Sequence, residues 1–122
     1  MKCTFIVETN KPDSNGDIIN FEGLAIKDKT PILRAFNNAQ VLGQASLKVE
    51  GEYLIAEAEI LDRFENEILD TYPAIGFKIL QEHKEGSNRI IDNAKVLAVG
   101  LSPQPNVNPD IKTIRDQCYG KS

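Results

Sequence analysis

Alternating apolar and polar positions recur along the chain and predict a mainly β protein. In "EYLIAEAEIL" (52–61), every second residue from Leu54 to Ile60 is apolar, and Glu57 and Glu59 lie on the opposite face. Acidic residues on such a face are most simply solvated, although a pair could also form a carboxylate site. Comparable apolar or β-branched runs predict further strands at 3–9, 41–49, 74–82 and 89–102, and "EGE" (50–52) predicts a hairpin.

One helix is predicted, in "DRFENEILDTYP" (62–73). Asp62 can cap its first turn, and Glu65 follows three residues later, as in a capping box. The apolar side chains share one face, and Pro73 ends the helix. The short apolar segment from Ile32 to Phe36 is compatible with either a helix or a strand. Together these elements predict one domain over 1–122, a small antiparallel β-barrel or sandwich of six or seven strands with one helix.

The C-terminal segment, about 103–122, is rich in proline and asparagine. Three prolines in "PQPNVNP" predict extended or irregular backbone until about Ile111. Such a segment could lie extended along a partner protein. An exposed strand edge could also bind a partner, by pairing with a strand of the partner's sheet.

The strand "YPAIGFKI" (72–79) carries small residues on one face. Strict alternation directs Ile75 and Phe77 to one side of the sheet and Ala74 and Gly76 to the other. Two explanations are open: the backbone packs closely against a neighbour there, or an active site has lost its reactive side chain.

Composition and charge exclude several classes of partner. A net charge of −4 and a pI near 5.0 do not provide the positive field that nucleic acid binding requires. No apolar run has the roughly 20 residues of a membrane span, and "MKCTFIVETNK" is too polar for a secretory signal. We therefore expect a cytoplasmic origin, with Cys3 and Cys118 as reduced thiols.

Few residues predict a metal or cofactor site. Asp13, Asn15 and Asp17 alternate as in a calcium loop, but Gly16 comes too early and the closing glutamate is missing, so a turn is predicted. His83, the only histidine, is predicted to be a solvated turn residue. We expect no metal and no cofactor.

Four blocks of the sequence resemble, in order, those of the prohead proteases of tailed phages. These capsid-maturation serine proteases share their fold with the herpesvirus assemblin. The blocks are "DSNGDIINFEGLAI" (13–26), "PILRAFNNAQVLGQASL" (31–47), "YPAIGFKI" (72–79) and "AKVLAVGLSPQPNVNPDI" (94–111). The resemblance implies that the nucleophilic serine would stand at Ala74 and the catalytic histidine at Phe36, Asn37 or Asn38.

Both catalytic groups of the family are therefore absent, and the resemblance implies a protein that is not an enzyme. It implies an auxiliary or decoration protein of the virion capsid that binds the major capsid protein and occupies the host cytoplasm during assembly. Two alternatives are open. One is a divergent serine protease that pairs His83 with a serine (Ser46, Ser87 or Ser102). The other is a transient capsid-assembly module absent from mature particles.

Overall fold

The structure, a computed structural model, describes residues 1–119 and confirms the mainly β class. It contains eight strands and one short α-helix. The strands are β1 (Lys2–Thr9), β2 (Asp17–Ile19), β3 (Leu24–Ala25), β4 (Thr30–Arg34), β5 (Val41–Glu50), β6 (Tyr53–Ile60), β7 (Tyr72–Glu85) and β8 (Asn88–Ser102), and the helix is α1 (Ile114–Cys118).

All eight strands belong to one open, mixed sheet organised around β8. The strand order is β1-β6-β5-β4-β8, and β7 pairs antiparallel with β8 on the side of β8 that faces away from β4. On its other side β8 receives β2, β3 and β4 in succession, each in parallel. The sheet thus differs from the expected six or seven antiparallel strands, because β2 and β3 are too short to show alternation and because alternation does not encode direction.

The hydrophobic core is formed mainly by the buried side chains of the strands. In β6 the alternation is confirmed, since Leu54 and Ala56 are fully buried whereas Glu57 and Glu59 are exposed. The hairpin at 50–52 is also confirmed, with Gly51 at a positive φ of 60°. The largest fully buried side chains are Phe5, Ile32, Leu42, Leu54, Ile68, Ile91, Leu101 and Ile114.

The predicted helix at 62–73 is wrong. The structure has a 3-10 helix at Asp62–Phe64, with no side-chain cap, followed by successive turns. Two backbone carbonyls of these turns, those of Leu69 and Thr71, accept hydrogen bonds from the amides at the start of α1 (2.8 and 2.9 Å). These tertiary bonds anchor the turns to α1, and the one α-helical bond within the segment runs from the Ile68 amide to the Phe64 carbonyl (3.3 Å).

Up to Tyr119, the C-terminal segment packs against the rest of the domain and is not a free arm. It is irregular to Ile111, as predicted, but Asn108, Ile111 and Ile114 are buried. Thr113 then caps α1 through a side-chain bond to the amide of Asp116. Between residues 1 and 119 no helix has the length and apolar character needed to cross a membrane. Up to Tyr119 the segment is therefore packed against the domain, its docking on a partner stays a prediction, and 120–122 lie outside the described residues.

The expectation of reduced thiols is also corrected, because Cys3 and Cys118 form a disulfide with their Cα atoms 5.9 Å apart. The two cysteines are 115 residues apart in the sequence, so the sequence pattern did not indicate that they are close in space. Gln117 holds α1 against β1: its side-chain amide accepts from the Ile6 amide (2.7 Å) and donates to the Ile6 carbonyl (3.2 Å). The amide thus satisfies the outer edge of β1 as a further strand would.

Candidate functional site

A pocket of about 370 Å³ lies beside the first half of β7. Its walls come from β7, the end of β8, the turn after β4, the loop before β2 and the segment 104–107. Two hydrogen bonds to backbone carbonyl groups hold the segment 104–107 in place. The Ser14 amide donates to the Val107 carbonyl (3.0 Å), and the Asn106 side chain donates to the Pro73 carbonyl (2.8 Å).

The aromatic ring of Phe36 covers the glycines of β7 and β8. A Cβ added at Gly76 would lie 2.9 Å from the ring, and one added at Gly100 would lie 2.4 Å from it. Ala35 and Phe36 both have positive φ angles (48° and 62°), and the Ala35 amide donates to the Leu101 carbonyl (2.9 Å). Close packing against this ring therefore explains the glycine in "YPAIGFKI". The 32–36 segment is a strand and a turn, so its helical alternative is wrong.

The structure brings Ala74 and Phe36 into the same pocket, although they are far apart in the sequence. Ala74 is half-buried beside the buried Ile75, as alternation predicted. Asn37 and Asn38 are exposed, and neither lines the pocket. Asn37 instead shapes the turn, since its side-chain oxygen accepts from the Ala39 amide (2.9 Å).

Sequence reasoning missed Glu8, whose carboxyl lines the pocket while its residue is only 8% exposed. Alternation along β1 directs it to solvent, but a bulge between Ile6 and Glu8 buries three successive residues. One oxygen, Oε1, accepts from the Thr9 amide (3.0 Å). Burial raises the pKa of Glu8 to about 7, the Thr9 hydrogen bond opposes this, and the nearby Asp13 carboxylate adds to it.

The loop at 13–17 forms the predicted turn at the mouth of the pocket. The Asp13 side chain accepts from the amides of Asn15 (2.8 Å) and Asp17 (3.1 Å), and Asp17 pairs with Arg89 (2.7 Å). Among residues 1–119, no group of three or more histidine, cysteine or acidic side chains is arranged to hold a metal ion. The loop's polar atoms are used to build the turn.

The candidate serines lie away from His83 or are engaged elsewhere. Ser102 lines the pocket, but it lies twelve residues along β8 from Ile90, the partner of His83, which is roughly 40 Å of strand. The Ser46 hydroxyl donates to the Asp28 carbonyl (3.2 Å). Ser87 lies in the turn between β7 and β8, and no hydrogen bond joins it to His83 among residues 1–119.

His83 is an exposed residue of β7 rather than of a turn. Its two ring nitrogens contact Asp92 (2.6 Å) and Glu85 (2.8 Å). The hydrogen bond to Asp92, followed by that to Glu85, raises the pKa of His83. Both nitrogens are therefore committed to carboxylates at the far end of the hairpin.

No family model, curated protein or solved structure matches the chain.

Proposed function

We propose that this protein is a non-enzymatic auxiliary or decoration protein of a phage capsid, built on a prohead-protease-like scaffold that has lost its catalytic pair. It binds the major capsid protein, first in the host cytoplasm and then in the virion. A scaffold that recognised capsid-protein surfaces as a protease can lose its chemistry and keep recognition.

The observation that carries this proposal is the meeting of Ala74 and Phe36 in one pocket. The resemblance assigned the serine to Ala74 and the histidine to one of three residues in another block, and of those three Phe36 is the one that shares a pocket with Ala74. The two residues of a catalytic pair must belong to one site, and a shared pocket is compatible with a pair that has lost its reactive groups. A methyl group and a phenyl ring have no lone pair and no transferable proton.

A free strand edge supports the proposed mode of attachment. Within residues 1–119, β7 has β8 as its only strand partner, and beyond Pro73, whose carbonyl accepts from Asn106 (2.8 Å), its outer edge can receive a strand from a partner. Leu80 on this strand is 60% exposed. The chain's net charge of −4 favours attachment to protein rather than to packaged nucleic acid.

Co-sedimentation with DNA-free capsids tests the attachment. We expect the chain to pellet with capsids and to stay bound at moderate salt. Leu80→Lys, which places a charge on the edge strand, should weaken binding at least about tenfold. The control Leu97→Lys alters a similarly exposed leucine (52%) on β8, which is bordered by β7 on one side and by β3 and β4 on the other, and should bind normally. A chain that stays in the supernatant contradicts the proposal.

Active-site labelling tests the loss of catalysis. We expect no reaction with a serine-directed fluorophosphonate probe and no cleavage of capsid protein. Labelling at Ser102 or another serine that is abolished by His83→Ala would instead establish the divergent protease.

A further inference from the structure

Glu8 is a buried acid for which the fold supplies no cation. Its second carboxylate oxygen has no hydrogen-bond partner among residues 1–119, and the residue faces the pocket. The basic side chains nearby are engaged: Arg89 pairs with Asp17 and Glu82, and Lys11 pairs with Glu52. A buried carboxylate without a counter-ion is costly, so this position gains most from a positive charge brought from outside.

The pocket has the shape and lining to receive a long amphipathic side chain. Its volume of about 370 Å³ is at the small end of ligand pockets. Ile19, Ile75 and Phe77 offer apolar contacts for a methylene stem, and Glu8 can receive the polar end. The rings of Phe36 and Tyr72 also line the pocket and provide faces on which a cation can stack.

The charges around the pocket favour an organic cation over an anion or a metal ion. Asp13 adds a second negative charge near Glu8, and its influence is seen in the raised pKa of the Glu8 carboxyl. An anion would meet two carboxylates. A metal ion would need more acidic or histidine ligands than the described part of the chain brings together.

We propose that this pocket binds the side chain of a lysine or arginine from an extended segment of a partner protein, with Glu8 as the counter-ion. The segment would approach along the outer edge of β7 beyond Pro73, whose carbonyl is bonded to Asn106, and would reach the pocket wall at Ala74 and Ile75. The inference rests on the proposed function in one respect, since it takes the vacated catalytic pocket as the place where recognition persists.

Binding of short blocked peptides to the isolated protein tests the inference. The probes are acetyl-Ala-Lys-Ala-amide, its arginine counterpart, and a norleucine counterpart that keeps the stem without the charge. NMR of the labelled protein should show that the lysine and arginine peptides shift resonances of Ile19, Phe77 and Val107. The norleucine peptide should bind at least about tenfold more weakly. Equal binding of all three, or none, overturns the proposal.

The carboxyl resonance of Glu8 provides a direct readout. About one pH unit below its pKa of about 7, Glu8 is mostly protonated, and saturating lysine peptide should move the resonance to its ionised position. Glu8→Gln should reduce peptide affinity at least about tenfold, whereas Glu57→Gln, an exposed acid on β6, should not. An unchanged Glu8 resonance in the peptide-bound wild type overturns the proposal, whether or not Glu8→Gln folds.

The two proposals fail separately. Capsid co-sedimentation without peptide binding would remove the cation pocket and keep the capsid role. Peptide binding without capsid binding would remove the capsid role and keep the pocket.

Discussion

The ring of Phe36 lies directly over Gly100, so closely that a methyl group at Gly100 would be 2.4 Å from the ring. Phe36 holds this position with a positive φ of 62°, a conformation that non-glycine residues rarely adopt. The ring closes over the backbone of β7 and β8 and forms part of the pocket that contains Ala74. The Phe36 side chain is thus an integral part of the local packing.

Gly100→Ala should therefore destabilise the protein by about 1–3 kcal/mol, because the ring must leave its place. The same substitution in a Phe36→Ala background should cost much less, since the obstruction is gone. Chemical denaturation of the four proteins measures the coupling, which we expect to be about 0.5–3 kcal/mol. Additive effects would mean that the ring does not rest on Gly100.

The raised pKa of Glu8 makes stability pH-dependent. The folded protein retains the proton up to about pH 7, whereas the unfolded chain releases it near 4.5, so stability falls as pH rises between these values. The difference corresponds to about 3 kcal/mol. Glu8→Gln keeps an acceptor for the Thr9 amide and removes the titration. Above pH 7 it should be more stable than the wild type, with the advantage shrinking towards acidic pH.

Denaturation of both proteins across this pH range tests the prediction. His83 also has a raised pKa, but it titrates in both proteins and its effect cancels in the comparison. A constant difference between the two proteins at all pH values would show that Glu8 is not buried as described.

The Cys3–Cys118 bridge closes a loop with a sequence separation of 115 residues. Its reduction should lower the free energy of unfolding by about 2–5 kcal/mol. Thermal melts with and without reductant measure the loss, and a Cys3→Ala/Cys118→Ala protein should be insensitive to reductant. Two titratable thiols in the unreduced native protein would contradict the pairing.

Alternation was enough to place the long strands, and in β6 the burial of side chains follows it residue by residue. It failed where tertiary contacts override local preference. The segment after Asp62 has the capping and periodicity of a helix, yet it folds into turns that are anchored to the start of α1 through the carbonyls of Leu69 and Thr71. The parallel pairing of β2 and β3 with β8 involves two or three residues each and leaves no periodic signal.

The candidate site was only partly predictable from the sequence. The small face of "YPAIGFKI" located Ala74 and Gly76 correctly, and the resemblance placed Phe36 among three candidates. Glu8 was out of reach, because a single bulge in β1 turns an apparently solvent-facing residue inward. The bridge between Cys3 and Cys118 was also out of reach, since it depends on α1 folding back onto β1.

The measurement that tests the account most directly is quantitative mass spectrometry of washed, DNA-free capsids from the phage that, under this proposal, encodes the chain. An auxiliary capsid protein without a nucleophile has no route to self-cleavage, so we expect the chain to be intact and present in a fixed ratio to the major capsid protein. Its amount should not change when the genome is released. Loss of the chain from mature particles, or its release together with the DNA, would contradict the account and support a transient assembly module.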